Sequence, residues 1–390
     1  MSSDTSGRPF FTAEEHDARI AAVRADMARD GLDAVCVTGP EDVYYLTGLD
    51  HQGHFAFTAL VLPVSGQPMI VAREMEHTTL SVQVPRLQHV PFRDHEHPAD
   101  ALLTALGGLP AARRLGVDKA GMWFPIETWE RVRSALPDAD WLDSSRLVAV
   151  HREVKSPAEV DCVRRAAVLS SGAMEAGLDA IRVGVDVRDV AAAIYADLIG
   201  RGSEYPGMAP LIRFRDALLQ EHVTWRSRTV QPGDAIFVEM SASVGRYHAP
   251  LTRMAYVGEP PPGTDVAAAI AGDGLAAVVD ALVPGTPAGE VYAAWQRVVD
   301  EGLGHDRYRR HHCGYQIGIG FPPSWVGGPH VVGLRSDSTW QVRSGMTFHV
   351  LSWLLDQEPA DFVLSDTVLV TDDGGQLLTT ASRQPIVIAV

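Results

Sequence analysis

Apolar residues Ile20, Val23, Met27 and Leu32 recur at helical spacing behind Thr12-Ala-Glu-Glu15, a capping box. Together they predict an amphipathic helix of about five turns. The short apolar run from Leu32 to Thr38 predicts a buried strand, and Asp42-Val-Tyr-Tyr-Leu-Thr-Gly48 follows it. Further runs predict strands over 59–63, 68–71 and 115–117, and helices over 98–106 and 125–136. This alternation makes residues 1–155 an α/β domain.

A boundary falls between His151 and Pro157. There Ser156, Pro157 and Glu159 combine an N-cap, a first-turn proline and the reciprocal acid, predicting a helix to about residue 181. A second helix runs from Asp186 to Gly200, and strand-like residues span 210–214. Residues 237–253 read as a β-hairpin turning at Ser243 to Gly245. Helices over 265–282 and 288–303 follow, and then strands over 345–351 and 361–370 with a hairpin turn at Asp372 to Gly375. Residues 156–390 are therefore expected to form an α+β domain.

With 390 residues, two cores are the natural expectation. A net charge of −16 and only two lysines, Lys119 and Lys155, argue against a nucleic-acid or anionic-membrane surface. No apolar run is long enough to span a bilayer, and the polar start resembles no secretory leader. Three widely spaced cysteines, Cys36, Cys162 and Cys313, suggest neither a disulfide framework nor a zinc knuckle. A reducing cytoplasm and a small-molecule substrate are expected.

The sharpest chemical signal is Glu239, an acid inside the apolar run Ala235 to Met240. Either it is salt-bridged to Arg253 as a structural strand acid, or it faces a cavity where burial lifts its pKa. Arg246, Tyr247 and His248 are further candidate partners from the return strand. His222 and Trp225 share a loop that suits a pocket wall. The run from His311 to Trp325 carries Gly314, Gly318 and Gly320, which permit close backbone approach, without the strand–turn–helix context of a dinucleotide site. The pattern Asp94-His-Glu-His97 in a polar loop reads as solvated surface.

The segment from Pro232 to Gly258 resembles the central hairpin of the creatinase and Xaa-Pro peptidase family, whose catalytic domain has the pita-bread fold. The helix, strand, Tyr-Leu-Thr-Gly order likewise resembles the creatinase N-terminal domain. The resemblance implies a homodimer in which the loop after Gly48, with His51 and His54, reaches the neighbouring subunit's site. It also places five metal-ligand positions on Glu239, Pro250, Tyr315, Leu351 and Ser365. Four of these offer no carboxylate or imidazole, so no metal and no other cofactor is expected.

Among metal-free relatives, creatinase has a histidine where this chain has Tyr315. The ectoine hydrolases are more similar, in Glu239, Arg246-Tyr-His-Ala-Pro250, Gly314-Tyr-Gln-Ile-Gly318 and Pro322-Pro-Ser-Trp325. His222-Val-Thr-Trp225 and Met346-Thr-Phe-His349 match as well, while Trp325-Val-Gly departs from the expected Trp-Gly-Glu. This resemblance implies a metal-independent hydrolase of a C–N bond in a small cyclic amidine or amide. Glu239 would be nucleophile or base, and His248 or His222 would move protons. Tyr315 would steady the tetrahedral centre, with Trp225, Arg246, His349, Trp325, Ser365 and His54 around the substrate. Arg246, Arg335 and Arg343 are candidates for clamping a substrate carboxylate. A ring-forming or dehydrating enzyme on the same site, or a non-catalytic binding protein of peptidase descent, are the alternatives.

Overall fold

The computed structural model of the protein describes residues 10–109, 113–328 and 331–390; the polar opening stretch, residues 1–9, lies outside them. The chain divides into two compact units with a boundary at Arg152 and Glu153.

In the first unit the elements are α1 (Ala13–Asp30), β1 (Ala34–Val37), α2 (Pro40–Thr47), β2 (Ala59–Pro63), β3 (Met69–Arg73), α3 (His77–Gln83), β4 (Gln88–Phe92), α4 (Pro98–Gly107), β5 (Arg114–Val117), α5 (Ile126–Ala135), β6 (Asp140–Asp143) and α6 (Ala149–Arg152). The Thr12 hydroxyl accepts from the Glu15 amide at 3.2 Å, so the capping residue starts α1. The sheet runs β4-β3-β2-β1-β5-β6, with parallel β3/β4, β1/β5 and β5/β6 pairs around antiparallel β1/β2 and β2/β3. The segment before Gly48 is helical: α2 ends where Gly48, at φ 80°, donates its amide to the Tyr44 carbonyl.

The second unit contains α7 (Pro157–Ala180), α8 (Val187–Gly200), β7 (Leu211–Phe214), β8 (Ala235–Met240), β9 (Ser243–Val244), β10 (Tyr247–His248), β11 (Leu251–Val257), α9 (Thr264–Ala281), α10 (Ala288–Leu303), β12 (Gly314–Gln316), β13 (Thr347–Leu354), β14 (Phe362–Thr371), β15 (Gly374–Leu377) and β16 (Ile386–Ile388). Ser156 and Glu159 exchange both bonds of a capping box at the start of α7. The sheet order is β12-β13-β14-β11-β8-β7, antiparallel throughout, with β15 added to β14 and β16 parallel to β11.

The expected hairpin is a composite. β8 pairs directly with β11, and the tip folds into a separate two-residue hairpin, β9 and β10. Its turn is at Gly245 and Arg246, the latter at φ 66°. Tyr247 donates to the Glu159 carboxylate, fastening this tip to the start of α7.

Register then decides which side chains meet, because residues opposite one another in an antiparallel pair share a face. Leu211 lies opposite Glu239, Glu239 opposite Thr252, Thr252 opposite Ser365, and Ser365 opposite Leu351. Arg213, Phe237, His349 and Trp353 fall two residues along on the same strands, and so lie on that face too. The other face carries Ser352, whose hydroxyl accepts from the Trp295 indole of α10 at 3.0 Å. The helical cover thus packs behind the sheet and leaves the Glu239 face to the site.

Candidate active site

A cavity of about 210 Å³ opens on that face. Glu239, Tyr315, Trp325 and His222 line it, as do Arg213 and Arg310. Glu239 is only 5% exposed. Burial lifts its carboxyl from 4.5 to about 7, with Arg213 and Arg310 opposing the rise and Glu221 adding to it. Such an acid is close to half ionised at neutral pH, the condition in which a nucleophile or base is most useful.

Beside it stands a hydrogen-bonded row. The Trp325 indole donates to the Tyr315 hydroxyl at 3.0 Å. Tyr315 lies 2.8 Å from His349 Nδ1, and His349 Nε2 lies 2.6 Å from the Ser365 hydroxyl, which donates to Thr252 at 2.7 Å. With the Ser365 proton committed to Thr252, His349 donates from Nε2 and accepts the Tyr315 proton at Nδ1. Burial, together with His312 and Arg253, lowers the His349 pKa to about 3, so the ring is neutral. Its Nδ1 is 3.9 Å from Glu239, an approach without a hydrogen bond. Burial, reinforced by the Glu239 charge, raises the Tyr315 pKa and keeps the phenol protonated.

Of the residues expected from sequence, Glu239, Tyr315, Trp325 and His222 therefore meet at the cavity, and His349 and Ser365 back Tyr315. His222 holds φ 60°, a strained conformation of the kind that gathers at functional sites. Three others from the second unit lie elsewhere. His248 is fully buried, its Nε2 accepting from the Gly207 amide at 2.8 Å, and burial with Arg246 nearby pushes its pKa to about 3. It braces the chain beside Met208 instead of meeting the cavity. Arg246 stacks 3.8 Å over the Tyr205 ring and donates to the Tyr205 carbonyl, because the tip turn swings it off the strand. Trp225 lines a separate cavity of about 260 Å³ behind Arg213 and meets Tyr195 edge-on at 6.3 Å.

His54 belongs to the first unit, where its Nδ1 lies 3.0 Å from the His51 carbonyl and its ring meets Trp123. Arg253 pairs with Asp366 at 2.8 Å, which removes the strand-acid reading of Glu239. Arg335 and Arg343 form ion pairs with Asp337 and Glu153.

Sequence reasoning missed Arg213, Glu221, Arg310 and His312. Arg213 carried the same signal as Glu239, a charge within an apolar strand, Leu-Ile-Arg-Phe214. The others sit in loops with no local pattern.

Residues 161–372 match metallopeptidase family M24, and residues 19–154 match the creatinase/prolidase N-terminal domain. Ectoine hydrolase of Halomonas elongata is 27% identical over 96% of this chain and 97% of its own. An uncharacterized hydrolase/peptidase of Sinorhizobium fredii is 25% identical over 97% of this chain and 98% of its own. In fold, a recombinant prolidase from Thermococcus sibiricus superposes with a TM-score of 0.85, covering 97% of this chain and all of that one at 20% identity.

The family name implies metal, and the donors do not fit one. Of the expected ligand positions only Glu239 supplies a carboxylate, and the Tyr315 and Ser365 hydroxyls are engaged with His349. Among the described residues no group of three or more His, Cys, Asp or Glu side chains is placed to hold a metal ion. The architecture is nonetheless the two-domain pita-bread arrangement in full, and the chain belongs to metallopeptidase family M24, with a creatinase/prolidase N-terminal domain ahead of the catalytic one.

Proposed function

We propose that this hydrolase of the M24 family works without metal, opening a C–N bond in a small cyclic amidine or amide with Glu239 as nucleophile or base. The observation that carries the reading is the buried Glu239 carboxyl, pushed up to about 7 in its cavity, and the family resemblance puts the other metal-ligand positions on Pro250, Tyr315, Leu351 and Ser365. Support for the substrate class comes from the relative named as an ectoine hydrolase, which shares nearly full-length similarity.

An amidinium carbon is electrophilic, and its positive charge favours the ionised form of Glu239. As nucleophile, a Glu239 oxygen bonds to that carbon and the C=N electron pair moves to nitrogen, giving a tetrahedral centre. Protonation of the ring nitrogen then breaks the C–N bond. Water attacks the resulting acyl-type carbon, releases Glu239 and leaves an open-chain amide, so the net change is addition of one water. As base, Glu239 takes the proton of a water that attacks the carbon directly. His222, on the cavity wall, exchanges the proton, and the Tyr315 hydroxyl, turning its proton away from His349 Nδ1, steadies the tetrahedral centre.

Glu239→Gln keeps the shape and removes the charge. With ectoine as substrate and ring opening followed by mass spectrometry, turnover is expected to fall by at least roughly 100-fold while the circular dichroism spectrum is retained. Unchanged turnover would remove Glu239 from the chemistry.

A further inference from the structure

We propose that Arg213 and Arg310 form a carboxylate subsite in the Glu239 cavity, so that the substrate carries an anionic group at a fixed distance from the C–N bond. For its chemistry this rests on the hydrolase reading; for binding it rests on the cavity alone.

Arg213 is 3% exposed, on the same sheet face as Glu239 and diagonal to it across β7 and β8. Diagonal neighbours in such a pair lie roughly 7–8 Å apart, a separation that two ends of one small molecule span. The guanidinium is fixed in place. It lies 3.8 Å over the Phe237 ring, and Nη1 donates to the Leu218 and Gln220 carbonyls at 3.3 and 2.7 Å. Nε, buried, has no acceptor among the described residues. Leaving a buried guanidinium N–H unpaired is costly, and a guanidinium edge fits a carboxylate with two parallel bonds.

Arg310 repeats the arrangement from the loop before β12. Its Nη2 donates to Glu221 at 3.2 Å, its guanidinium lies 4.9 Å from the Trp353 ring centre, and its buried Nε also lacks an acceptor. Both arginines line the wall that Glu239 shares. With Glu221 paired to Arg310, the Arg and Glu charges left at the cavity among the described residues are the Arg213 guanidinium and the Glu239 carboxylate. A zwitterion whose cationic centre meets Glu239 and whose anion meets Arg213 complements both. The Arg246, Arg335 and Arg343 side chains, candidates from sequence, are absent from this wall.

The test compares two probes by isothermal titration calorimetry at pH 7. One is ectoine, a cyclic amidine carrying a carboxylate, and the other is 2-methyl-1,4,5,6-tetrahydropyrimidine, the same ring without it. The Glu239→Gln protein is expected to bind the carboxylate-bearing ring at least roughly tenfold more tightly, and adding Arg213→Gln is expected to abolish that preference. Arg310→Gln, on a loop, provides a second variant should loss of Arg213 prevent folding, and it is expected to weaken the same preference. Equal binding of the two rings, binding of neither, or a preference untouched by both substitutions overturns the subsite. Preferential binding with no turnover by the wild-type protein instead keeps the subsite and overturns the hydrolase reading.

Discussion

The consequences of burying Glu239 extend to stability. Unfolded, its carboxyl titrates near 4.5; folded, at about 7. Below pH 4.5 both states hold the proton and burial carries no ionisation penalty. Between these values only the folded state keeps it, so stability falls as pH rises, by roughly 3 kcal/mol once pH exceeds the folded value. Glu239→Gln removes this dependence. Denaturant unfolding is expected to find the variant gaining on the wild type by up to about 3 kcal/mol between pH 4.5 and pH 8. A difference independent of pH would contradict a raised carboxyl. At this scale the sequence was legible where a residue type clashed with its surroundings, as Glu239 does in an apolar strand. It was not legible for His248, since whether an imidazole on the return strand meets the cavity depends on how the tip folds. The β9–β10 tip buries it against Gly207.

At the scale of elements, the site depends on strands held at close quarters. Gly314 opens β12 against β13, and a Cβ there would lie 2.8 Å from the His349 carbonyl oxygen and 3.2 Å from the Val350 Cα. Gly314→Ala therefore has to push Tyr315 and His349 apart. It is expected to lower stability by about 1–3 kcal/mol, read as a lower melting temperature. Gly272, inside α9, has nothing within 4 Å of the same position, and Gly272→Ala is expected to raise stability by roughly 0.5–1 kcal/mol. If Gly314→Ala leaves the melting temperature unchanged or raises it, the close approach of β12 and β13 is wrong. The glycine spacing announced tight backbone contact, and the strand runs announced β13 and β14. What neither could give was register, because the row from Leu211 through Glu239, Thr252 and Ser365 to Leu351 is set by pairing between strands far apart in sequence. The helix before Gly48 was equally hidden, its apolar tyrosines and valine fitting a strand as well as the α2 they form.

For the whole molecule, the two-part organisation was readable from Ser156, Pro157 and Glu159, since a strong helix start after a polar stretch marks where a second core begins. That the resemblance puts proline, leucine and serine, which cannot replace carboxylates, at metallopeptidase ligand positions was also readable. The chemistry on the opposite wall was not. Arg213, Glu221 and Arg310 come from β7, the following loop and the approach to β12, and only the folded sheet brings them to Glu239. Under the proposed function, this M24 scaffold works around a single buried acid, Glu239, in place of cations. The most direct test is hydrolysis of ectoine by protein treated with a chelator, its metal content measured by inductively coupled plasma mass spectrometry. The expected result is full turnover at far less than one metal ion per chain; activity lost on chelation and restored by a divalent cation would contradict it.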